Sequence, residues 1–160
     1  MAPTIRLRPM APDDRHAVRD LVLAGLAERW GTATDPALNR DLDDVALAHP
    51  GSTTLVAVTD DGVVVGTGTI VPRPGATAEI VRMSVEWSRR GAGVGRMIVD
   101  ALVEIAAAGH PPVRRIVLGT TATWHDAIRF YERCGFVITH HADGAFGRDA
   151  WFERQLDAAS

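Results

Sequence analysis

Two β-branched runs, TTLVAVT (53–59) and VVVGTGTIV (63–71), stand on either side of Asp60-Asp61-Gly62. Branching at Cβ favours extended backbone, and an Asp-Asp-Gly connection is turn chemistry, so this stretch is committed to an antiparallel hairpin. A hairpin needs further strands and a covering layer to be stable, and the rest of the chain supplies both. TIRLRP (4–9) alternates like a first strand and stops at a proline. Asp13 is placed to cap a following helix that carries Val18, Leu21, Val22, Gly25 and Leu26 on one face. Residues 31–50 mix turn residues with a short helical run around Leu42 to Leu47.

After the hairpin, Pro72, Pro74 and Gly75 break the chain before AEIVRMSV (78–85), another strand. A helix follows the glycine-rich stretch after it, with Ile98, Ala101, Leu102, Ile105 and Ala108 expected on its inner face and Gly109 at its end. RIVLGT (115–120) reads as a short buried strand. Thr123 and Asp126 have the spacing of a capping box for the helix WHDAIRFYERC, closed by Gly135. FVITHH (136–141) and AWFERQL (150–156) read as last strands around the turn-rich ADGAFGRD. Strands and helices in this order, without repeat or linker, describe one mixed α/β domain over residues 1–160.

Composition removes several functions. A net charge of −3 gives no basic excess for a nucleic-acid backbone. No apolar run reaches bilayer length, and the amino terminus has no signal-like core, so the expectation is a cytoplasmic protein that binds neither membrane nor nucleic acid. One cysteine, Cys134, excludes an intramolecular disulfide and a cysteine-based zinc cage. His140 and His141 are adjacent but lack a spaced carboxylate, so no metal is expected.

The stretch SRRGAGVGRMIVDAL (88–102) places glycines at alternate positions directly before a helix. It lacks the third glycine of a dinucleotide loop and the Gly-Lys-Ser/Thr of a P-loop. What remains is R-x-x-G-x-G between strand and helix. Such a stretch is either a tight turn or an anion cradle, and Arg89, Arg90 and Arg96 favour the cradle by focusing positive charge on the helix N-terminus. A pyrophosphate fits that description.

With this loop, the strand EIVRMSV before it and the segment FYERCGF (130–136) after it, the span Glu79–Phe136 resembles the GNAT superfamily of N-acetyltransferases. The resemblance implies a central, mostly antiparallel sheet of about seven strands with flanking helices, splayed where acetyl-CoA binds. It assigns the CoA pyrophosphate to Arg90, Gly91, Ala92, Gly93, Val94, Gly95 and Arg96, and the pantetheine arm to Met83, Ser84 and Val85. It implies acetyl transfer from acetyl-CoA to an amine by direct attack in a ternary complex. Tyr131 matches the family's proton donor to the departing thiolate, and a backbone N–H near Val85 its oxyanion donor. Glu79, eleven residues before Arg90, matches the catalytic glutamate of the histone-acetylating members, while other members use a water relay. If strand alternation holds, Glu79 shares an apolar face with Val81, Met83 and Val85.

Where the family often has an asparagine that bonds CoA, this chain has Trp124, which either stacks on the cofactor or covers the core. Cys134 has no histidine partner in sequence and reads as structural. The acceptor is expected between residues 25–45 and 139–150, where Asp35, Asp41, Asp43 and Asp44 offer either attraction for a cation or an ordinary solvated face. RMSV and the FYxxxGF-type helix resemble the camello-like subgroup, which implies a small amino compound as acceptor. The alternatives are acetylation of a protein α-amine or lysine, and acyl-CoA sensing without turnover. A homodimer is compatible with all three.

Overall fold

Seven strands form one sheet in the order β1-β2-β3-β4-β5-β7-β6. They are β1 (Arg6–Pro9), β2 (Thr53–Val58), β3 (Val64–Arg73), β4 (Thr77–Val85), β5 (Arg115–Thr121), β6 (Val137–Gly144) and β7 (Gly147–Gln155). The helices are α1 (Arg15–Trp30), α2 (Val45–Ala48), α3 (Val94–Ala107) and α4 (His125–Arg133). The computed structural model describes residues 4–31 and 36–157, so Asp35 lies outside the described residues. Every neighbouring pair of strands is antiparallel except β4 and β5. None of the described helices is long and apolar enough to cross a membrane.

The core lies between the sheet and α3 with α4. Ile98, Leu102, Ile116, Leu118, Phe136 and Phe152 are all 1 % exposed or less. α3 presents Val94, Ile98, Val99, Leu102, Val103 and Ala106 to this core, while Ile105 is 38 % exposed and Ala108 is also at the surface. The inner face is therefore rotated from the one expected. Apolar residues surround most of this helix, so periodicity alone does not select a face; packing on β3 does, where Gly66 and Gly68 admit Ile98 and Leu102. α1 lies on the other face of the sheet over β3 and β4, burying Val18 and Val22.

Two boundaries differ from expectation for local reasons. α1 is entered through a 3-10 turn, Pro12–Asp14, and Asp14 rather than Asp13 holds the entry. The Asp14 carboxylate accepts the Ala11 N–H at 2.7 Å and pairs with Arg8 at 2.6 Å, which holds its pKa below the ordinary aspartate value. β6 and β7 run on through ADGAFGRD, leaving only Ala145 and Phe146 between them. Gly147, at φ 110°, allows that tight reversal, so polar composition here marks an exposed hairpin rather than a loop.

Candidate active site

β4 and β5 pair only where Thr77, Ala78 and Glu79 meet Arg115, Ile116 and Val117. Beyond Glu79, β4 stays with β3 while β5 continues along β7, opening a cleft along one edge of β4. The Val85 carbonyl faces this cleft, where it accepts Arg90 Nε at 3.1 Å. Strand geometry sends the Val85 N–H the same way.

β4 also carries a bulge. Its register with β3 shifts between Thr67 and Thr69, and Arg82 sits at φ 54°, a left-handed conformation uncommon for a side-chain-bearing residue. The extra residue reverses the alternation. Ala78 and Ile80 belong to the core beneath α3, which leaves Glu79 and Val81 on the α1 face. Past the bulge, Met83 takes the place a Cβ on Gly68 would fill, and Val85 contacts the α3 side near Gly95. Ser84 faces α1, bonding the Leu21 carbonyl at 3.3 Å. Glu79 thus does not share a face with Met83 and Val85, and its carboxylate pairs with Arg73 at 2.9 Å instead of standing among apolar side chains.

The Arg82 guanidinium explains the bulge's position. It grips both oxygens of Asp41 at 2.6 and 2.8 Å and the Asn39 Oδ1 at 3.0 Å. Burial alone would raise the Asp41 pKa; Arg82, with His49 3.4 Å away, more than offsets this and holds it down. Asp43 pairs with Arg19 at 3.2 Å and Asp44 with Arg15 at 3.5 Å, while Asp44 also caps α2. Asp41, Asp43 and Asp44 are thus engaged in anchoring this segment rather than left to attract a cation.

At the far end of the cleft, Gly91 and Gly93 have φ of 82° and 88°, and α3 starts at Val94. The first bond of the helix runs from Met97 N–H to the Gly93 carbonyl at 3.1 Å. The amides of Val94, Gly95 and Arg96 precede it and have no partner among the described residues. A Cβ built on Gly91 or Gly93 meets nothing within 4 Å, so an anion can reach the backbone there. On Gly95 it would lie 3.1 Å from the Phe130 ring, so this glycine serves the contact between α3 and α4. Arg90 props the loop against α1, pairing with Glu28 at 3.0 Å and lying over the Trp87 ring. Arg96 donates to the Arg133 carbonyl at 3.0 Å.

Tyr131 reaches the cleft from α4. The residue is 9 % exposed, with its ring among Phe130, Phe136 and Phe152. Burial, with the Cys134 thiol nearby, pushes its pKa well above the ordinary tyrosine value against a small opposing effect of Arg29, so the hydroxyl keeps its proton. Cys134 is buried, and burial raises its pKa too, which suits a structural thiol. His125, His140 and His141 are exposed. Among the described residues no group of three or more histidine, cysteine or acidic side chains could hold a metal ion.

Thr123 and Asp126 do not form a capping box. α4 begins at His125, so Trp124 takes the capping position without a side-chain bond. Asp126 turns instead to Arg29, which donates to both its oxygens at 2.9 Å. The Trp124 ring lies beneath the Arg29 guanidinium at 4.7 Å and beside Trp30 at 5.3 Å, and Trp30 in turn meets Phe146 at the hairpin tip. This cluster joins α1, α4 and the β6–β7 turn. Arg29 holds the Asp126 pKa down to about 2 against an opposing effect of burial. The pair's stabilisation is therefore complete above the unfolded value near 4 and is lost as pH falls towards 2. Asp126→Asn is expected to lower stability by about 1 kcal/mol at pH 7, a modest value because solvent screens the pair. Urea midpoints of the two proteins should converge as pH drops from about 4 to about 2.

These parts enclose one cavity of about 770 Å³. Of the residues expected at the site, Glu79, Met83, Ser84, Val85, Arg90, Gly91, Gly93, Gly95, Arg96, Trp124 and Tyr131 line it. Ala92 and Val94 do not: Ala92 is exposed, and Val94 is buried beneath the loop. Arg29 and Asp149 line it from within the two segments expected at the acceptor, though neither was singled out there, and Arg82, Gly119 and Trp151 line it without having been anticipated. An arginine inside the apolar run EIVRMSV was a visible signal for Arg82; reading 142–149 as a turn concealed Asp149.

The acetyltransferase (GNAT) family model matches residues 15–136, and the chain belongs to that family. The N-acetylaspartate synthetase of Xenopus tropicalis is 35% identical over 115 residues, covering 66% of this chain and 41% of the relative. The Homo sapiens N-acetylaspartate synthetase is 34% identical over 103 residues, covering 62% and 33%. The alignments thus span between a third and about two fifths of these relatives' lengths. Among solved structures, a GNAT-family acetyltransferase from Staphylococcus aureus Mu50 superposes with a TM-score of 0.85 at 17% identity, covering 96% of this chain and 100% of the other. The PaiA N-acetyltransferase of Thermoplasma acidophilum, solved in complex with coenzyme A, gives 0.75 at 13% identity over 96% and 99%. These two likenesses establish the fold.

Proposed function

We propose that this chain transfers the acetyl group of acetyl-CoA to the primary amine of a small, amino-acid-like acceptor within a ternary complex. The observation that carries the reading is one continuous cavity joining the glycine-loop amides, the unpaired edge of β4 and the buried Tyr131. The open space over Gly91 and Gly93 suits a pyrophosphate, and the β4 edge offers a peptide-like arm the hydrogen bonds that β5 does not supply. The names of the N-acetylaspartate synthetases support an amino-acid acceptor and the camello-like leaning. A cytoplasmic location belongs to the same proposal and is supported by a composition with one cysteine.

The chemistry follows from three needs. The acceptor's ammonium gives up a proton to a carboxylate or water, freeing the nitrogen lone pair. That pair forms a bond to the thioester carbonyl carbon, and the Val85 N–H meets the charge that gathers on the carbonyl oxygen. The carbon–sulfur bond breaks with its electrons on sulfur, the Tyr131 hydroxyl protonates the thiolate, and the second proton, lost by the acylated nitrogen as the neutral amide forms, passes through water to restore the tyrosine.

Acetyl-CoA or CoA at about 100 times its Kd is expected to add about 2.7 kcal/mol of stability, raising Tm by about 5–10 °C. NAD and ATP should raise it far less. Release of CoA thiol in the presence of L-aspartate and a panel of other primary amines tests turnover. A melt that responds to NAD and not to CoA would overturn the assignment.

A further inference from the structure

Along β7, Ala150 and Phe152 point into the core beneath α3 and α4, so Asp149 and Trp151 stand on the opposite face, the one that carries α1. β5 sets Gly119 against Trp151 and Thr121 against Asp149. A Cβ on Gly119 would lie 3.1 Å from three ring atoms of Trp151, so the indole lies across bare backbone. The Asp149 carboxylate occupies space that a Cβ on Gly144 would fill. Both side chains line the cavity that contains the open edge of β4.

Three carboxylates line this cavity: Glu79, Asp126 and Asp149. Arg73 holds Glu79 at 2.9 Å and Arg29 holds Asp126 at 2.9 Å. Asp149, only partly exposed, has neither an ion pair nor a side-chain hydrogen bond among the described residues. A carboxylate that lines a cleft without a partner attracts a cation that enters it. Trp151, two residues further along the same face, lies over Gly119 on β5 and parallel to the His140 ring, 6.2 Å away, and so walls the cavity next to this carboxylate's strand position. Among the described carboxylates of the cavity, the unpaired one defines a receiver for an ammonium group.

We infer that Asp149 receives the acceptor's ammonium and takes the proton that must leave before attack. The inference rests on the acetyl-transfer reading above. The N–H bond breaks, its electrons stay on nitrogen to form the amide bond, and the proton moves to a carboxylate oxygen of Asp149. Water takes that proton after the product departs. Glu79, neutralised by Arg73, has a supporting role.

The test compares the wild type with Asp149→Asn and Glu79→Gln. The probes are L-aspartate, glycine, spermidine and a lysine-containing peptide, and the comparison uses the one with the highest wild-type kcat/KM. Asp149→Asn is expected to lower kcat/KM by about 100-fold or more, the usual worth of a positioned base, while Glu79→Gln costs less than about 10-fold. The Kd for acetyl-CoA and the Tm of Asp149→Asn should match the wild type, showing that the variant is folded and loaded. Wild-type kcat/KM in Asp149→Asn overturns this inference and leaves acetyl transfer standing. A wild type that binds CoA but acetylates none of the four probes overturns the small-amine reading, and the inference falls with it.

Discussion

Tyr131→Phe is expected to lower kcat by about 10- to 1,000-fold near pH 7 while leaving the affinity for acetyl-CoA unchanged. The substitution keeps the ring that packs against Phe136 and Phe152, so Tm should hardly move. It removes a hydroxyl that burial keeps protonated, and so able to donate a hydrogen bond towards a departing sulfur. The effect is best measured near neutrality, because thiolates leave with less help as pH rises. Full turnover by Tyr131→Phe at pH 7 would remove the hydroxyl from the mechanism and leave Tyr131 as a packing residue.

Gly93→Val is expected to weaken CoA binding by at least about 100-fold, as backbone approach to the pyrophosphate is blocked on the side where the loop now presents empty space. Its φ of 88° adds a backbone strain of about 1–3 kcal/mol for a β-branched residue, so some loss of Tm accompanies the loss of binding. Gly95→Val should separate the two effects. Its Cβ would press on Phe130 from 3.1 Å, so it acts first on the contact between α3 and α4. Calorimetric Kd values for CoA, read beside thermal melts, distinguish an obstructed cradle from a disturbed helix pair. An unchanged Kd in folded Gly93→Val would mean that the glycines serve the turn alone.

The central hairpin, the strand Ala78–Val85, the glycine loop and the helix that carries Tyr131 were legible because each rests on local chemistry. Branched residues, a glycine turn and alternating glycines act within a few positions of themselves. The departures arise where distant residues decide. Nothing near Arg82 announces a bulge; Asp41 and Asn39, about forty positions earlier, hold its guanidinium, and the bulge then turns Met83 and Val85 away from Glu79. Thr123 and Asp126 satisfy the spacing of a capping box, yet the helix starts one residue later, at His125, and the Asp126 carboxylate is held by both nitrogens of Arg29. Arg73 does the same to Glu79. In each case a guanidinium from another element changed the reading of an acidic residue, and sequence spacing holds no record of such a partner.

The narrow parallel junction between β4 and β5 also has a mechanical meaning. Three residue pairs at one end hold the strands β1–β4 and the strands β5–β7 to each other across the sheet. The sheet therefore divides into two leaves beyond one short junction, their free margins facing each other across the cleft. An extended arm bound there would take the place of a missing strand, stitching the leaves along their length and turning an exposed seam into interior sheet. The core beneath α3 and α4 runs continuously under both leaves, so such an arm would complete the sheet's hydrogen bonding rather than its packing.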